Sequence, residues 1–379
     1  MGPIIILDKS AFQSLSRREC FFLHIYFKEN LTPILCMEIL GDLAKKKHDP
    51  KAAKQKVAEL AAKFGGSGPV TNLDYRSLCI KSLLGFRFPL DSRIIPDNST
   101  PVRIADRSQS VIIDDSPFNY AILRWAEGNF LEFEHFISKH WRKITRSFSL
   151  KSFCDQLDKH HIIIPRVKNT DEILPVTESL LTKTSLQEVW LEWLLDQLLV
   201  NNADRSAIKA RWRLRHYPLL KDFAPYAWHC IKVLLVALIA IRYHFVKWKS
   251  TNILDIQYLY YLPFCMVFVS DDKLHQLLAP LLMRRDQSFV LGRELKSDLR
   301  RLADEWDRLT EKKRAMLRYA LGSYPPPAKN SIVYELWKRH IRPWKPGMGD
   351  LTSKLSEQEK MEAINWVKRM FQEVEGNTY

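Results

Sequence analysis

Two short aliphatic runs, far apart in the 379-residue chain, each give way directly to aspartate. Residues 3–7 (Pro-Ile-Ile-Ile-Leu) end at Asp8, and residues 266–270 (Met-Val-Phe-Val-Ser) end at Asp271 and Asp272. Short apolar runs without polar alternation read as strands buried on both faces. A helix opening at Asn252 carries Asp255, 16 residues before Asp271. In open α/β sheets, functional groups collect where strands give way to loops, at the carboxyl edge of the sheet. The expected fold class is therefore α/β, and parallel pairing of these strands brings the acids together at that edge.

Carboxylates gathered this closely raise one another's pKa, and burial adds to the effect. A hard divalent cation, Mg²⁺ or Mn²⁺, resolves the conflict because it takes oxygen ligands and keeps bound waters.

The residues around these acids resemble the PIN-like nuclease family. Ile4-Ile5-Ile6-Leu7-Asp8-Lys9-Ser10-Ala11 is similar to the opening strand and helix start of PIN domains. Leu31 to Leu40, carrying Glu38, resembles their helix with the second acid; Thr32 is placed to cap it and Pro33 to open it. Asp255 to Leu262 resembles the helix with the third acid, and Phe268 to Lys273 the closing strand, with Ser270 two places before Asp272. The resemblance covers about 90 residues, roughly 1–44 and 230–278, and its matches follow the family's order. It implies a PIN-like three-layer core with a parallel sheet. It also implies Asp8, Glu38, Asp255 and Asp272 as catalytic, metal-binding carboxylates, with Asp271 as a further metal ligand competing with Asp272. Ser10 and Ser270 become supporting residues, and Mg²⁺ or Mn²⁺ the cofactor. Glu19, Glu29 and Asp42 are acids neighbouring Glu38 in sequence.

Glu38 and Asp255 lie 217 residues apart, more than the connection of a compact PIN domain. The expected organisation is a PIN-like core from 1–44 and 218–286, a mostly helical insertion over 45–217, and a helical C-terminal extension over 287–379. Gly65 to Pro69 is the strongest linker signal. Residues 85–116 are turn-rich, with a short strand near 110–113. Residues 287–320 read as one or two long charged helices, and 355–374 as a final helix. Ser10 is placed to cap the first helix. Ile231 to Val246 reads as a buried helix, because it is short for a bilayer and Lys232 and Arg242 interrupt it.

Lys and Arg number 58 against 43 Asp and Glu, a net charge of +15 that favours polyanion partners. Arg211, Arg213 and Arg215, interleaved with Trp212 and Tyr217, fit a grip on a phosphate backbone or equally a solvated helix face with Trp212 in the core. Lys45, Lys46 and Lys47 open a run with seven Lys against two acids over 45–63, a phosphate clamp or a solvated amphipathic helix. His275, three residues past Asp272, reads as structural unless it faces the acids, and His160-His161 lacks a second ligand pair. The six Cys have no CxxC spacing, which argues against a zinc site or a disulfide framework and for reduced thiols in a cytoplasmic protein. P-loop, HExxH, GxSxG and GxGxxG motifs are absent.

The function these features imply is hydrolysis of phosphodiester bonds by an endoribonuclease acting on nucleic acid, RNA before DNA. The insertion is expected to bind a regulatory protein or nucleic-acid partner, without a membrane, as in a regulated toxin or antiviral defence effector. The alternative is a catalytically inactive PIN-like module that binds nucleic acid or serves as a protein scaffold.

Overall fold

The computed structural model describes residues 2–45, 49–65, 69–97, 99–104, 108–113, 117–147, 157, 162–247, 249, 251–311, 325–326, 328–341, 356, 358 and 361. At its centre is a five-stranded parallel sheet in the order β3-β2-β1-β6-β7. Its strands are β1 (Ile4–Leu7), β2 (Lys28–Leu31), β3 (Val70–Thr71), β6 (Val267–Val269) and β7 (Ser288–Val290). A separate antiparallel ribbon pairs β4 (Ser99–Ile104) with β5 (Ser108–Ile113), which includes the strand expected near 110–113.

The aliphatic runs form the middle of the sheet, as their composition demands. Ile5, Ile6, Val267, Phe268 and Val269 have no accessible surface, the signature of strands covered on both faces. Ile5 pairs with Val267, Ile6 with Phe268 and Leu7 with Val269. The Asp8 N–H donates to the Val269 carbonyl at 3.1 Å, so the chain leaves both strands at the same level. From β1 the sheet grows one way through β2 and β3 and the other way through β6 and β7. The strand order therefore reverses between β1 and β6, and a crevice opens there at the carboxyl ends.

The helices before the ribbon are α1 (Lys9–Ser14), α2 (Arg17–Tyr26), α3 (Pro33–Leu40), α4 (Pro50–Ala61) and α5 (Tyr75–Leu84). Then follow α6 (Pro117–Ala126), α7 (Glu132–Ser147), α8 (Ile173–Thr182), α9 (Gln187–Gln197), α10 (Asn202–Leu214) and the short α11 (Leu220–Phe223). The last described helices are α12 (Pro225–Arg242), α13 (Asn252–Leu259), α14 (Lys273–Leu282), α15 (Gly292–Asp307) and α16 (Ile332–His340). By length and composition α12 could cross a membrane, with 18 residues and a mean hydropathy of 1.4, but 78% of it is buried inside the protein. It packs on α5, α8 and α13 as a core helix.

Several expectations need correction. The sheet draws β3 from the stretch expected to be inserted and β7 from the expected charged helix, so its edges lie beyond both boundaries. Residues 28–31, Lys-Glu-Asn-Leu, form a strand despite their polarity because partners inside the core satisfy them: Asn30 donates to the Phe264 carbonyl at 2.7 Å, and Glu29 pairs with His24. Asp8, not Ser10, caps α1, its carboxylate accepting the Ala11 N–H at 2.7 Å. The final helix expected over 355–374, residues 160–161 and Cys154 lie outside the described residues, apart from 356, 358 and 361.

Candidate active site

Asp8 sits where β1 meets α1, and Ser270 and Asp272 sit where β6 meets α14. Ser270 donates to Asp8 Oδ2 at 2.6 Å, and Ser10 donates to Asp8 Oδ1 at 2.9 Å. Asp272 caps α14, accepting the Leu274 N–H at 2.7 Å, while its own N–H donates to Ser270 Oγ at 2.9 Å. One hydroxyl thus ties together the acids that end both central strands.

Two further acids arrive on helices. Glu38 lies in the last turn of α3, whose start Thr32 caps and Pro33 opens. Asp255 lies in the first turn of α13. Tyr258 is three residues further on, so it shares the Asp255 face of α13. Its hydroxyl donates to Glu38 Oε2 at 2.6 Å. Asp8, Glu38, Asp255 and Asp272 line one open pocket of about 450 Å³ at the switch point of the sheet.

The charges in this pocket are coupled. Burial drives the Asp255 carboxyl up to about 7, and repulsion from Asp272, Glu38 and Asp8 adds to it against the pull of His275. Glu38 is also raised, first by burial and then by Asp8 and Asp42, against the attraction of Lys9 and the Tyr258 hydrogen bond. Burial pushes Asp8 up too, but the His275 bond and charge, with Ser270 and the Ala11 N–H, outweigh it and hold Asp8 below its ordinary value.

His275 is buried among these acids. Burial lowers its pKa, but Asp8 and Asp255 raise it more. Its Nε2 donates to the Asp255 carbonyl oxygen at 2.7 Å, and its Nδ1 lies 2.8 Å from Ser270 Oγ. The carbonyl oxygen can only accept, so Nε2 carries a proton, and Nδ1 shares its contact with the Ser270 hydroxyl.

Sequence reasoning missed several lining residues. Lys9 bridges to Asp42 at 2.8 Å and donates to the Glu38 carbonyl at 2.7 Å. Lys45, named from the sequence as a phosphate-clamp candidate, also lines the pocket and pairs with Asp42 at 2.5 Å. Burial raises the Asp42 carboxyl, but Lys9 and Lys45 bring it below its ordinary value. Trp141, Arg142 and Thr145 come from α7, which packs on α3 and on the 3-10 turn Gly41–Ala44. Lys9 stood beside Asp8, and Tyr258 one turn after Asp255, so both were findable. No local pattern joins α7 to Asp8.

Other expected residues lie elsewhere. Asp271 does not line this pocket; its carboxylate is turned to the start of α15, where it accepts the Arg293 N–H at 3.2 Å. Glu19 accepts the Ser16 N–H in a capping box. Arg211 donates to the Leu83 carbonyl at 2.8 Å and stacks over Phe223, which makes it a packing residue. Trp212 is buried, and its indole donates to the Pro218 carbonyl, so it cannot stack on a base. Arg213 and Arg215 are exposed and outside the pocket. Lys46 and Lys47 lie outside the described residues.

No known protein family, curated protein or solved structure matches the chain.

The donor set suits a hard cation. Its atoms are carboxylate oxygens, and Asp42 Oδ2 is buried with no hydrogen-bond partner among the described residues. No three His, Cys, Asp or Glu side chains among the described residues form a ready-made metal cage. Mg²⁺ does not need one, since it is commonly held by one or two carboxylates with waters and substrate phosphate completing its shell.

Proposed function

We propose that the chain is a metal-dependent nuclease of the PIN-like type, cutting RNA in preference to DNA. The observation that carries this reading is the shared pocket: carboxylates from four separate segments meet at the switch point of a parallel sheet. Asp8, Glu38, Asp255 and Asp272 would hold Mg²⁺ or Mn²⁺, which supplies an activated water and neutralises charge on the phosphate. Ser270 and Ser10 fix the Asp8 carboxylate, and Tyr258 fixes Glu38. Lys9, Lys45 and Arg142 add positive charge to the same walls and bind the substrate phosphates. A cytoplasmic setting belongs to the same proposal, supported by free, buried Cys20, Cys36, Cys79, Cys230 and Cys265.

The test is cleavage of single-stranded and structured RNA and DNA in Mn²⁺ by the wild type and by Asp8→Asn and Asp272→Asn. The expected result is cutting by the wild type and a loss of at least about 100-fold in either variant, the scale of removing one preorganised charged group. Wild-type rates in both variants would overturn the reading. The lack of a ready-made cage favours, as a second reading, a module that binds nucleic acid without cutting it. Mn²⁺ titration calorimetry separates the two, because only the nuclease requires a metal that Asp8→Asn abolishes.

A further inference from the structure

A second cavity, of about 570 Å³, adjoins the acidic pocket, and the two share Trp141, Thr145 and Leu254 as a common wall. Its lining is richer in aromatic and aliphatic side chains and lacks the carboxylate cluster. Tyr75 and Tyr260 stand with ring centroids 5.0 Å apart, and Trp193, Ile231 and Leu234 contribute further apolar wall. A few polar groups border these rings: Arg76 donates to the Tyr75 hydroxyl at 3.2 Å and Gln257 to the same oxygen at 3.4 Å. Cavities of about 300–1,000 Å³ with aromatic walls and a few placed polar groups are the usual form of a small-ligand site. None of the chemistry assigned to the carboxylates uses this space.

With the divalent cation of the nuclease reading held by the carboxylates, a ligand that reaches both cavities would be anionic at one end and planar and apolar at the other. A nucleic-acid strand has this character at every residue, with a phosphate joined through a sugar to a π-faced base. The surroundings suit a polyanion: the chain carries +15, Arg76 is exposed beside this cavity, and Lys9, Lys45 and Arg142 line the acidic one. We propose that the aromatic cavity takes the unstacked nucleobase of the nucleotide whose phosphate lies at the carboxylates. The inference rests on the nuclease reading and adds to it a substrate class, single-stranded nucleic acid, because a base must leave its stack to enter. Trp141 lines both cavities. It rests on Gly41, where an added Cβ would lie 2.7 Å from the indole ring.

The test uses the full chain carrying Asp8→Asn, so that RNA stays intact. A short single-stranded RNA with one 2-aminopurine is compared with the same strand made abasic at that position. The expected result is quenched 2-aminopurine emission on binding and roughly 5- to 150-fold weaker binding of the abasic strand, the range for one stacked base. Leu234→Trp, which fills the cavity from α12, should remove the quench and equalise the two strands. Equal affinity for the two strands overturns the proposal without any cavity variant, and so does a quench that survives Leu234→Trp. The two readings fail separately. Cutting by the wild type with no discrimination against the abasic strand rejects the base subsite alone. Discrimination and quenching by a protein that never cuts reject the nuclease and keep the subsite.

Discussion

Replacing Asp255 with Asn should stabilise the protein, and by more as the pH rises. In the fold the Asp255 carboxyl keeps its proton to about pH 7, whereas its ordinary value is 3.8. The folded state therefore binds a proton that the unfolded state has released, and stability falls as the pH rises through that window, then levels off. A pKa moved from 3.8 to about 7 corresponds to about 4 kcal/mol at ~1.36 kcal/mol per pH unit. Asp255 is only half-buried, and screening by water at the pocket mouth trims this to about 2–4 kcal/mol. Unfolding entropy of ~2.1 cal/mol/K per residue over 379 residues converts that range to about 3–5 °C. The assay is thermal unfolding of wild type and Asp255→Asn from pH 4 to 9 without divalent cations. The two should melt together near pH 4 and separate by about 3–5 °C above pH 7. A separation that does not change with pH would refute the argument, because it would mean that the fold does not raise the Asp255 carboxyl. With Mn²⁺ present the gap should narrow, since the cation stabilises only the protein that binds it.

Ser270→Ala removes the hydroxyl that donates to Asp8 and accepts from Asp272 N–H inside the core; a loss of about 1–3 kcal/mol in chemical denaturation is expected, with slower cleavage. Gly41→Ala should destabilise by about 1–3 kcal/mol and displace Trp141, whose ring lies 2.7 Å from the added Cβ; a changed Trp fluorescence spectrum with a lower Tm checks this. Asp298→Ala strips the bonds to Ser331 Oγ and Val333 N–H that hold the start of α16, each 2.9 Å, and amide exchange should speed up in α16 while β1 and β6 stay protected.

The centre of the fold was legible in the sequence because it depends on local, apolar signals. Ile4 to Leu7 and Val267 to Val269 are runs that only burial on both faces accommodates, so their strand character and their place in the middle of the sheet follow from composition. The acids at their ends, Asp8 and Asp272, and Asp255 in a helix's first turn follow from the same reading, as does α3 from Thr32 and Pro33. The flanking strands were hidden for the converse reason. Lys28 to Leu31 and Ser288 to Val290 are short and carry polar residues, and Lys28 to Leu31 becomes a strand because Phe264 and His24 satisfy Asn30 and Glu29. Asp271 and Asp272 are adjacent and chemically identical, and only the direction in which each side chain leaves the strand decides that one faces the pocket and the other α15. The raised pKa of His275 likewise depends on partners at residues 8 and 255, which no linear pattern links. The wall that α7 contributes, Trp141 with Arg142 and Thr145, comes from a segment about 100 residues from any acid of the site, and its position rests on the close approach that Gly41 permits.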